Sequence, residues 1–162
     1  MNMKRIFETV VTEHQDMVLR VCRGVLGAHA DAEDAWSETF MAALRAWPTL
    51  PEDTNIEAWL VTIAHRKAID ITRSRARRAI TVEHLPETAS TRGIPGEEHE
   101  LWAAVRALPE RQRLALSYHY FGGLPYSEVA ALIGGSAEAA RRAGSAGVAT
   151  LRTHHHTKGP LR

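Results

Sequence analysis

Apolar residues recur every three or four positions along most of the chain, and no segment alternates as a strand would. The pattern predicts helices throughout. The first runs from about Lys4 to Leu26, with an inward stripe of Ile6, Val10, Met17/Val18, Val21/Cys22 and Val25, and ends at Gly27. The second runs from about Asp31 to Trp47, with Trp36, Phe40, Ala43/Leu44 and Trp47 inward. Its first turn carries Asp31, Glu33 and Asp34, which suit the positive end of the helix dipole, and Pro48 stops it. The third starts at an N-cap, Thr54 or Asn55, and continues to Arg77. At 100° per residue it turns Ile56, Leu60, Ile63, Ala64 and Ile71 to the core. Trp59, Thr62, Arg66, Ile69/Asp70 and Arg73 then face outward.

Periodicity lapses over residues 79–97, which contain Pro86, Gly93, Pro95 and Gly96. Four shorter helices follow, over about 97–107, 109–121, 125–133 and 136–152, with Pro109 and Pro125 in first turns. Residues 154–162, including His154–His156, read as a frayed polar tail. The expected fold is all-α: two small helical domains, 1–78 and 98–153, joined by a flexible linker over 79–97.

Residues 125–152 have the form of a helix-turn-helix. A short helix meets the turn Gly134–Gly135, and Ser136 caps a second helix. That helix turns Ala137, Ala140, Gly144, Val148 and Leu151 inward and presents Glu138, Arg142 and Ser145, with Arg141 on the flank. A recognition helix presents side chains to the major groove in this way, and arginine there reads guanine or holds phosphate. Gly144 and Gly147 each weaken a helix by about 1 kcal/mol relative to Ala. They either permit close packing or mark a poorly held reading helix.

Charge sharpens the picture by its distribution, since the net formal charge is only +1. Residues 31–57 hold seven acids and one base, whereas 66–78 hold six bases and one acid. Such blocks suit two kinds of partner surface. In WLVTIAHRKAIDITRSRARR (59–78) an aromatic heads a helix whose tail is cationic, a combination that suits unstacked bases and their phosphates. Lys67 falls inside the apolar stripe and must snorkel or meet an acid. Cys22 is the only cysteine and lies on an inward stripe, which fits an inert thiol in a reducing cytoplasm. No apolar run approaches the roughly 18 residues needed to span a bilayer, and the N-terminus lacks a secretory signal pattern. No motif places the acids and histidines for catalysis, so no catalytic residue, metal site or cofactor is expected.

Three motifs in order carry a family resemblance: DAEDAWSETF at 31–40, EAWLVTIAHRKAID at 57–70 and LPERQRLALSYHYFGGLPYSEVAALIG at 108–134. Together they resemble the extracytoplasmic-function (ECF) group of bacterial RNA polymerase sigma factors, over nearly all of residues 5–152. The resemblance implies that Asp31, Glu33, Asp34, Ser37, Glu38 and Thr39 dock on the β′ clamp helices of core polymerase, and that the second domain meets the β flap. It implies that the loop at about Leu50–Asn55 and the third helix read and melt the promoter −10 element, through Asn55, Trp59, Thr62, His65, Arg66, Lys67, Asp70 and Arg73. The −35 element falls to Ser136, Glu138, Arg141, Arg142 and Ser145. An anti-sigma factor is a further partner the family implies. The chain departs from the family pattern twice. Many relatives carry Arg-Asn at His65-Arg66, and Ala143 and Ala146 stand at commonly basic positions.

The function expected is promoter recognition and opening as a subunit of polymerase. Two other functions remain open at this point. A stand-alone helix-turn-helix regulator accounts for the second domain only. A sigma-like interaction module that no longer initiates transcription accounts for the two glycines of the reading helix.

Overall fold

The computed structural model describes residues 3–27, 30–81 and 96–157, and every regular element among them is helical. In chain order they are α1 (Met3–Leu26), α2 (Ala30–Ala46), a 3₁₀ turn (Trp47–Thr49), α3 (Ile56–Thr81), α4 (Gly96–Arg106), α5 (Glu110–Leu116), a π-helical turn (Ser117–Phe121), α6 (Tyr126–Ile133) and α7 (Ala137–Thr157).

The termini of these helices follow from local chemistry. Gly27 closes α1 at φ 92°, a left-handed conformation in which its N–H reaches the Arg23 carbonyl at 2.7 Å. Asn55 caps α3: its Oδ1 accepts from the Ala58 N–H at 3.1 Å and its carbonyl from the Trp59 N–H at 3.0 Å. Pro109 and Pro125 stand one residue before their helices in extended conformations, rather than inside the first turn. Both carbonyls still accept the first helical bonds.

The helices α1, α2 and α3 form one layer, and α5, α6 and α7 form another with α4 alongside. One apolar core runs through both. It joins Val18, Val21 and Cys22 of α1, Phe40 of α2 and Leu60, Val61 and Ala64 of α3 to Ala115, Tyr118, Val129 and Ala140 of the second half. Val105, Leu108 and Leu116 form a smaller core beneath α7. Cys22 is buried, and desolvation pushes its thiol up to about 12, as an inert core position requires.

Several details depart from the sequence reading. Phe7 rather than Ile6 is fully buried, and Leu44 is exposed while Ala43 takes the inward position. α3 continues to Thr81, so residues 79–81 of the expected linker are helical, while 82–95 lie outside the described residues. α7 continues to Thr157 and takes in residues expected to fray. α3 also buries a second face, Val61 and His65, because it packs on both halves. A single amphipathic stripe does not anticipate that.

Candidate nucleic-acid interface

The exposed face of α3 is built by helical spacing. Arg66, Asp70 and Arg73, at i, i+4 and i+7, are exposed together. Trp59 lies two turns earlier on the same face but is half-buried, its ring 6.2 Å from Trp47, which in turn sits 5.6 Å from Phe7. One face of the Trp59 ring is thus committed to an aromatic cluster that fixes its orientation. Thr62 donates its hydroxyl to the Ala58 carbonyl at 2.8 Å, and Lys67 is half-buried, as its place beside the apolar stripe demands. Asn55 is exposed, with its side-chain oxygen engaged in the cap.

His65 does not join this face. It is 6% exposed, with its ring edge-on to Tyr118 and Nδ1 2.5 Å from the Tyr118 hydroxyl. In this arrangement DNA cannot reach it.

The α2 residues divide in the same way. Glu33, Asp34, Ser37 and Glu38 are exposed. Thr39 is fully buried and donates its hydroxyl to the Ala35 carbonyl at 2.6 Å, so it offers nothing to a partner. Asp31 is ion-paired with Arg75 and ties α2 to the basic tail of α3. Two residues that the sequence reading missed complete the exposed face: Met41 at 57% and Leu44 at 51% exposure. Their spacing from Asp34, Ser37 and Glu38 was the available signal.

In the helix-turn-helix, Gly134 and Gly135 take φ of 87° and 85°. Arg111 of α5 donates to the Gly134 carbonyl at 2.7 Å and locks the turn. Ser136 Oγ accepts from the Ala139 N–H at 3.0 Å, which makes it the N-cap of α7 and engages that oxygen locally. Glu138, Arg142 and Ser145 are exposed on one face. Arg141 is exposed too, with its guanidinium 5.3 Å from the centre of the Tyr126 ring. Tyr126 also stacks on His119 at 3.9 Å. The glycines of α7 are packing positions. A Cβ on Gly144 would come within 2.7 Å of the Tyr126 hydroxyl, and one on Gly147 within 3.2 Å of Leu116 Cδ1. α7 is therefore held firmly on α5 and α6.

Among the described residues there is no cluster of histidine, cysteine and acids able to hold a metal ion, and no helix long and apolar enough to cross a membrane.

Comparisons with known proteins bear on both halves. Residues 10–78 match the family model Sigma-70 region 2, and residues 98–151 match Sigma-70, region 4. The chain is 34% identical over 121 residues to the ECF RNA polymerase sigma factor SigF of Caulobacter vibrioides, covering 74% of this chain and 68% of that protein. It is 30% identical over 141 residues to the ECF RNA polymerase sigma factor SigE of Mycolicibacterium smegmatis and 32% over 139 residues to BldN of Streptomyces coelicolor. Each match covers 79% of this chain but only 53% and 52% of those proteins, so the chain spans about half their length. Among solved structures, the sigma factor RpoE in complex with the anti-sigma factor NepR from Bartonella quintana superposes with a TM-score of 0.75 at 20% identity, over 92% of this chain and 96% of that one. CnrH in complex with the cytosolic domain of CnrY gives 0.68 at 22%, over 95% and 90%.

Proposed function

The chain belongs to the ECF RNA polymerase sigma factors, and from that premise we propose that it binds core polymerase and directs promoter recognition and opening. It acts as a regulatory subunit in the cytoplasm rather than as a catalyst. The observation that carries this reading is the coexistence of three distinct exposed faces. The α2 face is acidic and apolar, with Asp34, Glu38, Met41 and Leu44, and suits a protein partner. The α3 face pairs a fixed aromatic edge with Arg66 and Arg73 and suits unstacked bases and phosphates. The α7 face is a capped, firmly packed reading helix with Arg141 and Arg142 and suits a major groove.

Melting a promoter requires that binding unstacked bases return more than unpairing costs, a few kcal/mol per base. The Trp59–Arg73 face supplies both stacking and charge for that exchange. A stand-alone regulator would leave the α2 face without a role. The neighbouring sigma factor RpoE is bound to the anti-sigma factor NepR in its structure, and an anti-sigma factor is accordingly proposed as a further partner.

The test is transcription from a genomic fragment library by core polymerase with and without the chain. Transcripts that depend on the chain support the proposal. Stable core binding with no transcript would point to a non-initiating module. Sequence-specific duplex binding without polymerase would point to a stand-alone regulator.

A further inference from the structure

From Ala137 to Leu151, α7 carries two cations, Arg141 and Arg142. A flexible arginine reaches phosphate from many rotamers, but a bidentate contact to guanine needs one orientation of the guanidinium plane. Fixing that orientation before binding removes an entropic cost from the complex. For Arg141 an aromatic ring is in place to fix it.

The Arg141 guanidinium carbon lies over the Tyr126 ring, 5.3 Å from its centre. The ring itself has little freedom. Tyr126 opens α6 and is 8% exposed. His119 stacks on it at 3.9 Å, with the two ring planes 15° apart. His119 is held in turn, because its Nδ1–H donates to the Leu124 carbonyl at 2.7 Å. Tyr120 stands edge-on to His119 at 4.8 Å, and its hydroxyl shares a hydrogen bond with that of Tyr126. Gly144 lies one turn after Arg141 on the same side of α7 and leaves the space that the Tyr126 ring fills. A Cβ there would come within 2.7 Å of the Tyr126 hydroxyl oxygen and 3.1 Å of Cε1. A side chain at 144 would push the ring aside and take the support of Arg141 with it.

We propose that Tyr126 is a positioning residue for promoter reading: its ring, fixed by His119 and seated against Gly144, holds the Arg141 guanidinium in the orientation that reads a guanine of the −35 element. The inference rests on the proposed function and deepens it, naming one base and the residue that prepares its reader. A cation–π contact to an exposed guanidinium favours the held orientation about two- to fivefold. That factor is the guanine preference that Tyr126 adds.

The test uses core polymerase assembled with the full chain, on promoters randomised across the −35 element, with the transcripts sequenced. Arg141→Ala should abolish a guanine preference at one position of that element. Tyr126→Phe keeps the ring and should keep the preference within twofold. A ring-fluorinated phenylalanine at position 126 has nearly the same shape but lacks the negative ring face. Relative to Tyr126→Phe it should lower the preference about two- to fivefold at that position alone. In an Arg141→Ala background the same replacement should change nothing there. Equal preference with the plain and the fluorinated ring would overturn the positioning role. So would a loss spread evenly over the element, the signature of a Tyr126 contact to phosphate or of a loosened fold. An unchanged guanine preference in Arg141→Ala would overturn Arg141 as the reader. Absence of any chain-dependent transcript would instead overturn the proposed function, and the base-reading role with it. The stack would still be decided in the free chain. There the Tyr126 ring current should move the Arg141 side-chain N–H proton resonance upfield, and Tyr126→Leu should abolish the shift; an unshifted proton in the wild type would overturn the stack.

Discussion

Glycine at 144 and 147 illustrates how a single position changes meaning once its surroundings are known. From sequence, both glycines cost helix stability, about 1 kcal/mol each. In the fold, a methyl group at 144 would strike the buried Tyr126 hydroxyl at 2.7 Å, whereas one at 147 would meet the terminal methyl of Leu116 at 3.2 Å. Overpacking costs about 1–3 kcal/mol and outweighs the propensity gain at 144. Gly144→Ala should therefore destabilise the chain, and Gly147→Ala should be near neutral, as measured by denaturant midpoints at constant m-value. His65 carries a second prediction. Burial lowers its proton affinity, the Leu132 backbone bond opposes this, and Arg66 adds to it. Tyr118 faces it from the π-helical turn, where Arg113, Cys22 and Glu110 act in turn on Tyr118. The folded chain thus binds this proton less readily than the unfolded chain, whose histidine titrates near 6.5. The stability it contributes is complete above about pH 6.5 and is lost as pH falls below that value. The difference in stability between wild type and His65→Gln should shrink across that window; a difference independent of pH would contradict the assignment. The environment of His65 was not legible in sequence, because its partners lie 53 and 67 residues away.

At the scale of elements, most of the chain was legible. The Ser136 cap and the Gly134–Gly135 turn are written in local residue chemistry, whereas for α3 local chemistry narrows the cap to Thr54 or Asn55 and the fold selects Asn55. Faces were harder wherever a helix packs on two sides. α3 buries Val61 and His65 in addition to its main stripe, and the phase of α2 leaves Leu44 outside. The exposed pair Met41 and Leu44 is consequently the sharpest prediction for this element. Replacing both with Asp should weaken core-polymerase binding at least tenfold, as loss of an apolar anchor does, with little change in the thermal midpoint. On α3, Arg66→Ala with Arg73→Ala should slow open-complex formation while leaving core binding within twofold, because both side chains are exposed on the stripe proposed to face DNA. Equal loss in both assays would mean that the stripe faces polymerase instead.

The whole molecule shows what periodicity cannot supply. The helix content and the change of character after Arg78 pointed to two helical units, and two family models match on either side of it. Their packing into one core did not follow from either unit alone. It depends on close approaches at Gly24, against Ser117 and Phe121, and at Gly122, against Val61 and Val21, and neither glycine has a local pattern that marks it as an interface position. The most direct measurement of the central claim is sequencing of transcript 5′ ends produced by core polymerase and this chain on genomic DNA. The account predicts starts that share two upstream motifs at fixed spacing, with Arg142→Ala altering preference at the distal motif alone. Starts scattered as they are for core polymerase without the chain would contradict it.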